Sequence, residues 1–336
     1  MNIQKDYSLQ TLNTFGVTAT AKLYAEVSSV ADLQSVLVEH KNEKKLILGE
    51  GSNVVFTQDF DGLVIQPNIK GIKILSEDET SVLVEAMAGE NWDEFVGWTV
   101  EQGFGGLENL SLIPGKVGTC PVQNIGAYGV EIKDVFESLT AVHLETGKKK
   151  IFSHSDCAFG YRDSVFKNAE KGQWCIVSVV FRLDKNPVVK TSYGAIKNTL
   201  AELKITASTI ADVRQAVVKI RTEKLPDPKK IGNAGSFFKN PVVSRARFLQ
   251  IQAEFPDMPF YEIAENQIKI PAGWLIDTLG LKGKSFGAVG VHPKQALVLI
   301  NNGDATGKDV VAVAQKIKAL VQEKFAIELE IEVNIL

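Results

Sequence analysis

Ile113-Pro114-Gly115-Lys116-Val117-Gly118-Thr119-Cys120-Pro121-Val122-Gln123-Asn124-Ile125-Gly126-Ala127-Tyr128-Gly129 sets two short glycine-rich loops within seventeen residues. The loops carry Thr119, Gln123 and Asn124 but almost no charge. Ordering backbone costs roughly 1–2 kcal/mol per residue, so this is an expensive way to build a mere connection. It suits a wall of amides around a long dinucleotide, with Pro114, Gly115, Val117, Gly118, Thr119, Gln123, Asn124, Gly126 and Ala127 as candidate contacts. Gly118 and Gly126 are expected where a side chain would intrude on the ligand. A Rossmann fingerprint needs GxGxxG after a strand and opening a long helix, and no such run is present. The cofactor must therefore dock in another way. Upstream, Leu48-Gly49-Glu50-Gly51-Ser52-Asn53 follows a predicted strand and adds Gly49, Gly51, Ser52 and Asn53 as candidates, since consecutive amides in such a turn form a concave anion site. By itself this second segment reads more often as a plain tight turn than as a ligand site.

The surrounding composition is that of an ordinary soluble protein. The 336 residues exceed what one core usually fills, and 45% hydrophobic with 23% charged residues argue against disorder. A formal charge of −3 argues against general nucleic-acid affinity, so any phosphate site must be local. Cys120, Cys157 and Cys175 are odd in number and lack CxxC spacing, which fits free thiols in a reducing cytosol. The N-terminus has no apolar core of a signal peptide, and no apolar run approaches 18 residues, so membrane insertion and secretion are not expected. The expected compartment is the cytoplasm.

Periodicity places the loops in an α+β frame. Ser29 caps a predicted helix to about Lys41, followed by a strand at 46–48. Hairpins are predicted at 72–75 with 82–87 and at 139–144 with 149–152, a helix from Asn91 to Gln102, a strand at 174–183 and a helix from Thr209 to about Thr222. Two prolines and two glycines in 224–235 break the pattern. Beyond them lie predicted helices at 245–255, 271–279 and 307–324 around a strand at 296–300, and 327–336 alternates as a strand. The expected organisation is an N-terminal α/β domain at 1–70, a central α+β domain at 71–223 joined by the terminal strand 327–336, and a further domain at 224–326.

Several polar residues are ambiguous in isolation. Ser236 lies in a glycine-bounded turn, Arg162 can pair with Asp163, and Glu330 and Glu332 read as solvated strand charges. Tyr193 suits an aromatic packed at a helix start, and Lys224 and Asn240 suit loop polar groups.

In combination they resemble a known family. GEGSN at 49–53, ENLSLIPGKVGTCPVQNIGAYGVE at 108–131, FGYRDSVFK at 159–167, KLPDPKKIGNAGSFFKNP at 224–241 and LEIEV at 329–333 are similar, in order and over essentially the whole chain, to the UDP-N-acetylenolpyruvoylglucosamine reductases, called MurB. The GNAGSFFKNP run is the most specific of these. The resemblance implies a flavin fold like that of vanillyl-alcohol oxidase, in which FAD lies between a small α/β and a larger α+β domain. It implies NADPH as reductant and UDP-N-acetylglucosamine-enolpyruvate as substrate, covered by the C-terminal domain, with no obligatory protein partner. It makes Ser236 the general acid, Arg162 the active-site arginine and Glu332 the catalytic glutamate. Tyr193 matches a tyrosine that the longer subtype places over the substrate diphosphate, and Lys224 and Asn240 match substrate-contacting positions. Lys224, Lys229, Lys230 and Lys239 form the densest positive segment near that diphosphate. The family commonly has arginine two places after the glutamate, where this chain has Asn334; that puts a cation there in question but not the acid. His40, His143, His154 and His292 fall outside both glycine-rich loops, so FAD is expected to be held noncovalently. Two rivals remain: an oxygen-using oxidase of the same fold, which leaves Ser236 without a task, and a non-catalytic FAD or UDP-sugar binder, which leaves Arg162 and Glu332 without one.

Overall fold

The computed structural model describes residues 3–206 and 208–336. Its contacts gather into two units, one holding residues up to Tyr7 with Ala21–Glu50 and Phe60–Glu223, the other Ser8–Thr20, Gly51–Asp59 and Lys224–Leu336.

In the first unit a four-stranded sheet runs in the order Ile3–Ser8, Thr20–Val27, Phe60–Pro67 and Lys45–Ile47. Its last three strands pair in parallel, which requires a crossover, and helix α1 (Val30–Glu39) supplies part of it. Ser29 Oγ accepts the Asp32 N–H at 3.0 Å, a cap that contributes about 1 kcal/mol. Leu33, Val36 and Leu37 of α1 then pack on Ala25, Val27, Leu63 and Ile65.

An antiparallel five-stranded sheet forms the larger layer of this unit, in the order Lys149–Ser153, Phe136–His143, Trp174–Asp184, Ser81–Met87 and Ile72–Glu77. Helix α2 (Trp92–Glu101), capped by Asn91, lays Trp92, Phe95 and Val96 against Val82, Val84, Val179 and Phe181. Full burial of each such side chain is worth about 1.5–3 kcal/mol. Helices α3 (Gly194–Glu202) and α4 (Ile210–Lys224) share a separate cluster of Ile196, Leu200, Val213, Val217 and Ile220.

The second unit holds α5 (Arg245–Glu254), α6 (Ala272–Thr278) and α7 (Gly307–Phe325) with two three-stranded sheets. One sheet is ordered Asn233–Ser236, Val298–Asn301, Val289–Val291, and the other Val242–Ser244, Gln267–Lys269, Tyr261–Ala264.

The C-terminal segment differs from the expectation of one strand joining the central domain. Alternation is present, with Ile327, Leu329 and Val333 buried. Yet the segment pairs within the second unit: Ile331 bridges antiparallel to Phe238, and Asn334–Ile335 runs parallel to Val54–Val55. The period of side chains fixes which residues face inward but says nothing of which backbone takes the hydrogen bonds. The first unit accordingly contains most of both expected N-terminal stretches, while 8–20 and 51–59 belong with the C-terminal half.

Candidate functional site

In the first unit the loops at 48–50 and 113–119 lie side by side, and one carboxylate ties them. Glu50 Oε2 accepts the Gly115 N–H at 2.9 Å, Oε1 accepts the Asn91 side-chain amide at 2.9 Å, and Lys116 Nζ approaches to 3.4 Å. A Cβ built on Gly49 would stand 2.7 Å from Thr119 Cγ2, so only glycine permits this approach. Gln66 Nε2 donates to the Gly49 carbonyl at 2.8 Å and its own oxygen accepts from the Tyr24 hydroxyl at 2.6 Å, fixing the loop from behind. At 118 the packing of the chain itself requires glycine, since a Cβ there would lie 2.5 Å from Ala88 Cβ. Likewise, a Cβ on Gly126 would meet Val130 O and Glu131 Cγ, each at 2.8 Å. The amides of Gly115, Val117 and Gly118 donate to Glu50, Glu90 and Ala88, so these residues shape the loop with their N–H groups already engaged.

Leu112, Asn124, Tyr128 and Arg162 all adopt positive φ (59°, 45°, 50° and 53°) without being glycine. Such residues cost of order 1–3 kcal/mol each and persist only where surroundings over-determine them. Here the surroundings are visible. Leu112 N–H donates to Asp93 Oδ1 at 2.6 Å, Asp93 is gripped by both terminal nitrogens of Arg214 at 2.6 and 3.2 Å, and Arg221 Nε donates to Leu112 O at 3.1 Å. The buried Asn124 amide donates to Glu131 and Gly160 O and accepts from Lys133 N–H, so its side chain holds the loop together. Tyr128 and Gly129, both at positive φ, turn the small hairpin of Gly126–Ala127 and Val130–Glu131. Burial pushes the Tyr128 phenol above its ordinary pKa, while its hydrogen bond to the Arg221 guanidinium pulls the other way. Its ring meets Tyr193, the half-exposed residue before α3, edge-on at 5.4 Å. Arg162 Nη2 donates to Gly126 O at 2.5 Å, which ties it to this hairpin, and Asp163 accepts from Asn168.

In the second unit the other half of GEGSN meets the GNAGS run through a turn near the N-terminus. Thr14 N–H donates to Gly51 O at 3.1 Å, Thr14 Oγ1 donates to Asn233 O at 2.6 Å, and Asn233 N–H returns to Thr14 O at 3.0 Å. A Cβ on Gly51 would lie 2.0 Å from Leu12 O, and one on Gly232 2.3 Å from Phe15 O. Past Gly235, at φ +70°, Ser236 ends the strand exposed, and its hydroxyl makes no hydrogen bond among the described residues. Glu332 N–H donates to Phe237 O at 2.9 Å and Lys239 N–H to Glu330 O at 2.9 Å. Lys239 Nζ reaches Glu330 Oε1 at 2.5 Å, so its charge is already met and is withdrawn from the expected positive segment. Asn240 Oδ1 accepts the Ala272 N–H at the start of α6 at 2.9 Å, and Lys224 is exposed at the end of α4.

Thr14 and Glu50 are structural contributors that carry no signal in the sequence: Thr14 sits in a turn, and Glu50 lies between two glycines. The loops of the first unit fit a flavin dinucleotide. Thr119, Gln123, Gly126 and Ala127 line them half-buried, and the Glu50 carboxylate, compensated by Gly115, Asn91 and Lys116, presents no uncompensated negative charge to a pyrophosphate.

The comparisons agree with this class. Residues 21–152 match a family described as FAD binding domain. Among solved structures, p-cresol methylhydroxylase with substrate bound has a TM-score of 0.50 at 12% identity, over 96% of this chain and 83% of that one. The chain thus has an FAD-binding fold, shared with p-cresol methylhydroxylase. Residues 227–336 match the C-terminal domain of UDP-N-acetylenolpyruvoylglucosamine reductase. Reductases of that name from Flavobacterium johnsoniae and Amoebophilus asiaticus are 52% and 48% identical, each over 100% of both chains. The crystal structure of MurB from Thermus caldophilus shares the fold at a TM-score of 0.68 and 23% identity, over 100% of this chain and 99% of that one. The chain belongs to the UDP-N-acetylenolpyruvoylglucosamine reductases.

Proposed function

We propose that the chain reduces UDP-N-acetylglucosamine-enolpyruvate to UDP-N-acetylmuramate with NADPH and noncovalent FAD, a step of peptidoglycan precursor synthesis. The observation that carries this is identity of 52% to a reductase of that name over the full length of both chains. Among the described residues no helix is long and apolar enough to cross a membrane, and we assign the enzyme to the cytoplasm, where its three buried free thiols stay reduced. No obligatory protein partner is invoked.

Gly49, Gly51, Ser52, Asn53, Pro114, Gly115, Val117, Gly118, Thr119, Gln123, Asn124, Gly126 and Ala127 are assigned to holding FAD. FAD held by these residues would supply hydride transfer, from NADPH to the terminal carbon of the enolpyruvyl group. The oxidised nucleotide NADP+ would leave before the substrate enters, so that the half-reactions alternate. Ser236 Oγ gives a proton to the adjacent carbon. That carbon is strongly basic once the terminal carbon is reduced, so a hydroxyl suffices as its acid. Arg162 offers a planar fork to the substrate carboxylate and stays cationic while charge moves onto it. Glu332 is the second catalytic side chain, and Tyr193, Lys224 and Asn240 engage the UDP-sugar.

The test is anaerobic addition of NADPH and then substrate while following flavin absorbance. The reading requires yellow protein that bleaches with NADPH and recovers colour with the enolpyruvyl substrate. Peroxide production from an alcohol would make it an oxidase, and colourless protein that merely binds a UDP-sugar would make it a binder.

A further inference from the structure

We infer that Thr14 is a positioning residue that sets the proton-donating strand against the Gly51–Asn53 loop. This rests on Ser236 as general acid and on Gly51–Asn53 as a flavin contact. Four hydrogen bonds converge on one residue: Thr14 N–H to Gly51 O at 3.1 Å, Asn233 N–H to Thr14 O at 3.0 Å, and Thr14 Oγ1 to Asn233 O at 2.6 Å and, more weakly, to Gly51 O at 3.4 Å. Asn233 is buried and lies three residues before Ser236. Its own side chain is occupied, Nδ2 donating to Ile231 O at 2.9 Å and Oδ1 accepting the Gly235 N–H at 3.0 Å. Between them Gly235 stands at φ +70°, so the chain entering Ser236 has a flexible residue type at its hinge. The pairing of this strand with Val298–Asn301 is interrupted between Asn233 and Ser236, which leaves Asn233 as the last regular anchor before the serine.

The turn that presents Thr14 is itself built rigidly. Buried Asn13 donates from Nδ2 to Leu9 O at 2.8 Å and Val17 O at 2.9 Å and accepts the Val17 N–H at 3.1 Å. Asn301 Nδ2 donates to Phe15 O at 3.0 Å, and Asn301 N–H to Gly232 O at 2.8 Å. The turn at 13–16 is therefore a fixed post to which Gly51 and Asn233 are both fastened. The Thr14 hydroxyl is the part of that fastening that a side-chain substitution can remove while leaving the backbone bonds in place.

The experiment compares Thr14→Val, Thr14→Ser and Ser236→Ala in full-length, FAD-loaded protein. Valine keeps the branched shape and loses only the hydroxyl. Its FAD affinity and its bleaching by NADPH are expected within about threefold of wild type, while reoxidation by the enolpyruvyl substrate slows about 10- to 100-fold, the effect of a displacement near 1 Å at a reacting group. Thr14→Ser restores that rate to within about threefold, because it restores the donor. Hydrogen exchange of residues 232–237 rises in Thr14→Val without FAD and returns to the wild-type level in Thr14→Ser. Reoxidation at the wild-type rate in Thr14→Val, equal slowing of both half-reactions, unchanged exchange, or failure of serine to restore would each overturn the inference. Normal reoxidation in Ser236→Ala would instead bring down the underlying reading of the acid.

Discussion

The main-chain N–H of Glu332 donates to the carbonyl oxygen of Phe237 at 2.9 Å, so the proposed glutamate is held one residue from the proposed acid, Ser236, by backbone and not by side chains. With Phe238 bridged to Ile331, Glu332 stands opposite Phe237 in this short antiparallel pair. The buried rings of Phe237 and Phe238, 5.5 Å apart, anchor the strand just past the serine. Side chains at 236 and 332 can therefore be exchanged without dismantling the ladder that spaces them.

Ser236→Ala is expected to separate the two half-reactions. The Ser236 hydroxyl has no partner among the described residues to lose, so FAD retention and thermal stability stay near wild type. Bleaching by NADPH needs no proton at the substrate carbon and keeps its rate. Reoxidation by the enolpyruvyl substrate slows by ~10²- to 10⁴-fold, the usual effect of losing a positioned general acid. Stopped-flow traces of each half-reaction check this, and slowing of both alike would make Ser236 a flavin-positioning residue.

What was legible in the sequence was local. Ser29, Asn91 and Thr209 announce α1, α2 and α4 because a cap and an apolar stripe lie within a few residues, and their side chains do accept the Asp32, Glu94 and Asp212 N–H groups. The glycine-rich loops were legible as loops. The strands Thr20–Val27 and Phe60–Pro67 were not, since their parallel pairing is decided between segments some forty residues apart. Glu50 and Thr14 stayed hidden for the same reason: Glu50 bonds to groups 41 and 65 residues away, and Thr14 to one 219 residues away. Residue type marked where a loop would be, and only the fold showed which side chains fasten it.

Gly118→Val is expected to destabilise the apoprotein, because the new Cβ would stand 2.5 Å from Ala88 Cβ in the core of the first unit. Overpacking of this kind costs about 1–3 kcal/mol. That lowers Tm by roughly 2–12 °C, with flavin lost as a consequence of the displaced loop. Differential scanning calorimetry with FAD removed decides it. A colourless variant with wild-type Tm would instead trace the flavin loss to direct ligand contact at Gly118.

Stability should fall as the solution becomes alkaline. Burial pushes the Cys175 and Cys157 thiols up to about 12, each from an ordinary value of 9.0. A folded-state pKa above the unfolded one gives stability that is fully present below about pH 9. It is lost as pH rises toward 12, because the unfolded chain releases its protons first. Between pH 8 and 10 each such thiol subtracts about 1.4 kcal/mol. Urea midpoints at the two pH values measure the slope, and Cys175→Ala should reduce the drop by one thiol's share although its absolute stability is lower. An unchanged slope in that variant would show that Cys175 is not protected.

Glu50→Ala should weaken FAD binding more than its partial exposure suggests, because one carboxylate serves three groups of the first unit. Without it the buried Gly115 N–H has no acceptor, the Asn91 amide loses its partner at 2.9 Å, and Lys116 loses the charge 3.4 Å away. An unpaired buried N–H costs about 1–3 kcal/mol, and the loop escapes that cost by opening toward water. Closing it again then falls to the bound cofactor, so the FAD Kd rises by about 5- to 150-fold, tenfold for each 1.4 kcal/mol. Glu50→Gln keeps one acceptor oxygen but turns an NH2 toward either Gly115 or Asn91, so it should fall between wild type and alanine. Flavin fluorescence titration of the apoproteins gives the three constants, and hydrogen exchange at 113–119 reports the opening without any cofactor present. If alanine binds FAD as wild type does and exchange at 113–119 is unchanged, the two loops are held by their own backbone and Glu50 is dispensable.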